Sequence, residues 1–166
     1  MQKADSPRGS RWNAVLFLTA LLVVAADQLS KIWVRSYLEG QLIYKMGFFQ
    51  LTRVSNTGAA FGLFQGQSLG LTVVAIVGIV AILFCALFAY RHFPFVDSVL
   101  NRVALGLILG GTVGNLVDRL RFGYVTDFIG VGIWPAFNIA DSAIVVGVIV
   151  FAYSVLRSTR TEKHKT

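Results

Sequence analysis

The chain has 166 residues, 55% of them hydrophobic and only 14% charged, with a net charge of +7 and one cysteine. Soluble domains carry about 25% charged residues, so the composition excludes an ordinary soluble domain and fits one polytopic membrane domain over residues 1–166. The lone Cys85 lies inside an apolar run, which excludes a disulfide framework. His92 and His164 stand in no zinc-binding spacing, so neither a metal nor another cofactor is expected.

Residues 1–11 are polar and basic, with Lys3, Arg8 and Arg11 against Asp5. The first apolar segment runs from 12 to 34. A cleaved signal peptide competes with a membrane span here, because Ala25-Ala26 could serve as a small-residue cleavage site. The apolar pattern continues past Asp27, which favours a span. Asp27 and Lys31 then share one face near its C-terminal end. A structural ion pair with Lys31 snorkelling outward is one reading, and a role at a site is the other.

Residues 36–68 are too polar and glycine-rich to span. The strand formers of Phe48-Phe49-Gln50-Leu51-Thr52-Arg53-Val54 predict a small sheet or hairpin over 38–66, lying at the membrane interface. Asn56-Thr57-Gly58-Ala59-Ala60-Phe61 is a polar turn feeding small residues. Gly66-Gln67-Ser68-Leu69-Gly70 spells a nucleophile elbow, but an apolar span follows it and no histidine is in reach, so the match is chance. Further spans are predicted over 70–90, 99–117 and 137–157, the last punctuated by Pro135. Gly106, Gly110 and Gly114 recur every four residues, a face that lets another helix approach closely. Residues 118–136 read as a second non-spanning loop.

Four spans put both termini on one side. That side collects Lys3, Arg8, Arg11, Arg91, Arg102, Arg157, Arg160, Lys163 and Lys165, against Lys31, Arg35, Lys45, Arg53, Arg119 and Arg121 on the other. The excess places both termini in the cytoplasm, and it accounts for the basic charge without a nucleic-acid partner. The predicted architecture is therefore an all-α membrane protein of four transmembrane helices with a small extracytoplasmic β-sheet.

This topology gathers Asp27, Asp118, Asp127 and Asp141 towards the outer leaflet. Carboxylates near a bilayer core cost several kcal/mol and mark functional sites. Asn115, Asp118 and Arg119 share a helical face, as do Asn138 and Asp141, so each helix end presents an amide beside a carboxylate. Paired aspartates without metal ligands or a nucleophilic cysteine suit peptide hydrolysis: one accepts a proton from water while the other donates to the scissile carbonyl. Spacing alone leaves Asp118 and Asp127 both open as the partner of Asp141, although Arg119 beside Asp118 suggests a structural task for that acid.

Asp27-Gln28, Asn56 to Phe61, Gly114-Asn115-Leu116-Val117-Asp118-Arg119, Val125-Thr126-Asp127-Phe128 and Phe137-Asn138-Ile139-Ala140-Asp141-Ser142 together resemble lipoprotein signal peptidase (signal peptidase II), a bacterial family of four-span aspartyl peptidases. The resemblance covers essentially the whole chain. It implies a catalytic pair of Asp127 and Asp141, with Asp27, Asn56, Gly58, Asn115, Asp118, Arg119, Asn138 and Ala140 as supporting or substrate-binding positions. It implies cleavage of diacylglyceryl-modified prolipoproteins on the N-terminal side of the lipid-bearing cysteine. It also implies a location in the bacterial cytoplasmic (inner) membrane, contact with membrane lipids, inhibition by globomycin-type compounds, and a monomer. The sheet would cradle extended substrate through main-chain hydrogen bonds, and Arg119 could meet lipid phosphate, while Arg53 reads as solvated surface charge. The competing classes are a small proton-coupled transporter using Asp27, Asp118 and Asp141 as a relay, and a non-enzymatic assembly factor.

Overall fold

The computed structural model describes residues 7–58, 66–87 and 98–163, and their side chains over 13–58, 66–87 and 98–157. The expectations for Ala59-Ala60-Phe61, for the last three residues of the span over 70–90, and for His92 and His164 lie outside these residues. Four helices run along the chain: α1 Pro7–Arg35, α2 Ser68–Leu87, α3 Val99–Phe122 and α4 Ile139–Lys163. Each contains a segment long and apolar enough to cross a membrane.

Helix α3 is the centre of the bundle, and its glycines explain why. A Cβ at Gly106 would lie 2.7 Å from the Leu16 carbonyl, and one at Gly110 would lie 2.6 Å from the Ala20 carbonyl. Successive glycines meet successive turns of α1, so α1 and α3 run parallel with their backbones nearly touching. Gly147 of α4 approaches the Ala104 carbonyl in the same way. Leu16, Ala20, Ala86, Leu105 and Leu109 fill the core between α1, α2 and α3. Gly110→Ala should therefore destabilise the bundle by about 1–3 kcal/mol, read as a lower melting temperature in detergent, because the opposing atoms are backbone and cannot rotate away.

Three sequence expectations need correction. Helix α3 does not stop at 117 but continues to Phe122, where Gly123 takes φ 77° and donates to the Arg119 carbonyl. Charged residues do not end a helix; the left-handed glycine does. Residues 118–136 are not a loop: they complete α3 and then form β3 Val125–Val131 and β4 Trp134–Phe137. These join β1 Leu42–Met46 and β2 Phe49–Asn56 in one antiparallel sheet of order β1-β2-β3-β4. Both hairpins turn through two residues, with Gly47 at φ 57° and Gly132 at φ 56° supplying the positive φ that such turns require. Finally, Pro135 lies in β4 and does not open α4, which starts two residues later than expected, at Ile139.

Pairing of β2 with β3 sets Val54 opposite Asp127 and Asn56 opposite Val125. The sheet thereby carries Asp127 back to the ends of α1 and α3 and the start of α4.

Candidate active site

Asn138 precedes α4 and caps it. Its Oδ1 accepts from the Asp141 N–H at 2.9 Å, and its own N–H donates to Asp141 Oδ2 at 3.2 Å. This reciprocal box satisfies one free helix N–H and fixes the Asp141 carboxylate at the positive end of the helix dipole. A neighbouring N–H, that of Ala140, is taken by Asp27 Oδ1 of α1 at 3.1 Å. Ala140 is fully buried, and Gly111 and Gly114 leave the space it occupies. Gly114 also makes room for Asp27, whose Oδ2 would lie 2.6 Å from a Cβ placed there.

Asp127, on β3, is 2% exposed. Its Oδ1 accepts from Asn138 Nδ2 at 2.7 Å and its Oδ2 from Asn56 Nδ2 at 2.8 Å. Asn56 is itself held by an N–H bond from Gly58 at 2.9 Å. Asn115 Nδ2 donates to Asp141 Oδ1 at 2.8 Å. Asn138 thus bonds to both Asp127 and Asp141, which come from different elements. Burial pushes the Asp127 carboxyl up to about 7, assisted by the negative charge of Asp141 and opposed by the two amide donors.

Asp118 faces elsewhere. Its Oδ1 accepts from Arg35 Nη1 and Gln28 Nε2, both at 3.2 Å, and its Oδ2 accepts from the Thr126 N–H at 2.9 Å. Lys31 Nζ lies 3.5 Å from Asp118 and 2.9 Å from Asp27. The expected Asp27–Lys31 pair is present, but Lys31 does not snorkel outward: it is fully buried, because two carboxylates and an amide surround it. The cations on Asp118 come from α1 and not from the adjacent Arg119. Arg119 instead reaches towards the Gly58 carbonyl at 3.5 Å, within electrostatic reach of Asp141, Asp127 and Asp118. Arg53 is not a solvated charge either. Its Nη1 donates to the Arg35 and Tyr37 carbonyls, and its Nε lies 3.3 Å from Glu39.

Asp127 and Asp141 face a cavity of about 550 Å³, with Asn56, Gly58, Asn115, Arg119 and Ser142 at its polar end. Trp134, Phe137, Val145 and Val146 line the apolar remainder. Val145 and Val146 are half exposed on α4, so the apolar part of the cavity opens to the outer surface of that helix. Asp118 does not line this cavity. Among the described residues no three His, Cys, Asp or Glu side chains cluster as a metal site would require. Sequence reasoning paired Lys31 with Asp27 but missed its contacts with Asn115 and Asp118, and it missed Gln28, Arg35 and Thr126 as parts of this network. The signal for Lys31 and Arg35 was charge at the C-terminal end of an apolar helix.

Four membrane-length helices that close on a buried carboxylate–amide cluster beside a largely apolar cavity define a polytopic membrane protein with a polar cluster inside the bundle. Comparison makes the assignment particular. The family model for signal peptidase (SPase) II matches residues 19–157, and the chain belongs to that family. It is 48% identical over 136 residues to the lipoprotein signal peptidase of Dehalococcoides mccartyi, covering 81% of this chain and 84% of that one. It is 49% identical over 144 residues to that of Moorella thermoacetica, covering 84% and 91%. A bacterial membrane enzyme solved in meso at 2.3 Å superposes with a TM-score of 0.78 at 30% identity, covering 88% of this chain and 90% of that one. The protein is thus a peptidase by family. The transporter reading has no support in these relatives, and the buried acids gather at one end of the bundle where a relay would need them across it.

Proposed function

We propose that this protein is an aspartic endopeptidase that removes the signal peptide from diacylglyceryl-modified prolipoproteins, cutting on the N-terminal side of the lipid-bearing cysteine. The observation that carries this reading is Asn138 bonded to both Asp127 and Asp141, the two acids that line a largely apolar cavity. The extended precursor lies along the polar end, within reach of the sheet, while acyl chains occupy the apolar part. Asp141, at the start of α4 and bonded by Asn115, is the ionised member. Asp127, driven towards its neutral form, carries the proton.

Water attacks the scissile carbonyl carbon and gives its proton to Asp141, while Asp127 protonates the carbonyl oxygen. The resulting diol collapses when Asp141 protonates the amide nitrogen of the cysteine. The C–N bond breaks, and Asp127 recovers its proton from the diol hydroxyl. Asn56, Asn115 and Asn138 hold the two carboxylates, Gly58 anchors Asn56, and Arg119 supplies positive charge beside them. Asp27, Asp118 and Ala140 support the helix ends around the pair.

The whole chain works as one domain and as a monomer. It sits in the bacterial cytoplasmic (inner) membrane with both termini in the cytoplasm and the pair towards the extracytoplasmic leaflet. Lys31 and Arg102 are buried, one from each side of the positive-residue comparison, so the bias behind this orientation is unchanged. Globomycin-type inhibitors would occupy the same cavity.

The test is cleavage of a diacylglyceryl-modified precursor peptide by purified protein in detergent, followed by mass spectrometry. A single cut before the modified cysteine is expected, with the unmodified peptide uncut and EDTA without effect. No cut, or inhibition by EDTA, overturns the reading. The pH profile adds a sign. A raised carboxyl stays protonated up to its shifted value, so kcat/KM should begin to fall only near pH 7 on the alkaline side and drop roughly tenfold per unit above it as Asp127 loses its proton. A rate still rising at pH 9 contradicts that role.

A further inference from the structure

Lys31 touches neither member of the pair, yet its position bears on what they do. Its Nζ lies 2.9 Å from Asn115 Oδ1. An ammonium can only donate, so the Asn115 atom facing it must be the carbonyl oxygen. That fixes the other end of the amide: Asn115 Nδ2, and not Oδ1, faces Asp141 at 2.8 Å. Asn138 Nδ2 also donates to Asn115 Oδ1, at 3.1 Å, but the same group is shared with Asp127 Oδ1 at 2.7 Å and the Thr126 carbonyl at 3.4 Å. Lys31 is therefore the charged donor that holds Asn115 in register. Asn115 in its turn presents a donor to Asp141, which favours a carboxylate there.

Lys31 is itself held rigidly. Asp27 at 2.9 Å and Asp118 at 3.5 Å neutralise it, and Arg35 balances the second carboxylate. The charged or titratable groups around Asn115 and the pair are Asp27, Lys31 and Arg35 from α1, Asp118 and Arg119 from α3, Asp127 from β3 and Asp141 from α4. The four charges of Asp27, Lys31, Arg35 and Asp118 sum to zero. Lys31's own charge still reaches Asp127 and favours the carboxylate there, but what the cluster passes on through direct contact is the orientation of the Asn115 amide.

We infer that Lys31 is a positioning residue that assigns the two protons of the reaction: by locking the Asn115 amide it keeps Asp141 as the base and leaves Asp127 as the acid. This rests on the reading of Asp127 and Asp141 as the reacting pair.

The test compares kcat and KM against pH for wild type, Lys31→Met, Asn115→Ala and the double variant, with Asp127→Asn in the same assay. Lys31→Met should lower kcat about 10- to 100-fold with KM changed less than about threefold. It should also move the acid limb of the kcat profile up by about one pH unit, since an unlocked amide can turn its oxygen to Asp141 and disfavour the carboxylate. In the Asn115→Ala background, Lys31→Met should add nothing. An unmoved acid limb, or losses that multiply in the double variant, overturns the inference and makes Lys31 a structural cation. If Lys31→Met does not fold, Lys31→Met with Asp27→Asn removes both charges while keeping an acceptor for the Ala140 N–H, and it faces the same criteria. Activity retained by Asp127→Asn would instead strike the reading of the pair, so the two failures are separable.

Discussion

Asp127→Asn and Asp141→Asn should each reduce cleavage of a lipid-modified precursor by at least about 10³-fold while leaving the protein folded. A positioned acid or base contributes about 10²–10⁴-fold, and neither role survives in an amide. An asparagine at 141 keeps one oxygen for Asn115 or for the Asn138 N–H and sets its NH2 against the other donor, and it cannot take a proton from water. An asparagine at 127 keeps one oxygen for Asn56 or Asn138 and sets its own NH2 against the other amide. That clash shifts Asp127→Asn towards slight loss of stability, which losing a buried carboxylate offsets. Because the two acids act as a unit, the double variant should be no worse than the more damaged single one. Thermal unfolding in detergent checks folding, and mass spectrometry of the products checks activity. Substantial turnover by either single variant removes that residue from the pair.

The spans were legible in the sequence because apolar runs of about 20 residues report directly on membrane burial. Their ends were not. Asp118 and Arg119 looked like the exit of span three, but polar residues can stay helical when a neighbouring helix satisfies them, and only Gly123 stops α3. Strands β3 and β4 were missed for a related reason. Val125-Thr126-Asp127-Phe128 is a strand-forming run, and Gly132 marks the turn after it, but the acid and the glycines read as loop polarity. In the fold the sheet face is buried against the helix ends, so Asp127 is a core residue of a strand.

The Asn–Asp spacings in α3 and at the start of α4 predicted two amide–carboxylate pairs; Asn138 and Asp141 are bonded as expected, whereas Asn115 bonds to Asp141 and Lys31 and not to Asp118. What spacing could not predict is that Asn115 serves Asp141 while Asn138 serves Asp127 as well. That exchange depends on how α3 and α4 dock. The glycine stripe of α3 held part of the answer. It fixes which turn of α1 lies opposite, and hence that Lys31 reaches Asn115.

Asp118 is the acid that sequence could not separate from Asp127, and the structure gives it a different expected phenotype. Its four contacts, from Arg35, Gln28, Lys31 and the Thr126 N–H, use both oxygens. A carboxylate so surrounded has no free face for substrate, and it does not line the cavity. Asp118→Ala removes the carboxylate paired with Arg35, the more distant of the two carboxylates at Lys31, and the acceptor of the buried Thr126 N–H, and removing one partner of a buried ion pair costs about 3–5 kcal/mol. That variant should unfold at a distinctly lower temperature or fail to accumulate. Asp118→Asn keeps one acceptor oxygen and should lose less, about 1–3 kcal/mol. Whatever fraction of Asp118→Asn is folded should still cleave, with kcat within about tenfold of wild type and the same fall above pH 7. The measurement is kcat per folded molecule beside the melting curve. A stable Asp118→Asn protein with no turnover would put Asp118 among the reacting groups. Lost stability with retained turnover separates an acid that holds α1, α3 and β3 together from an acid that handles protons.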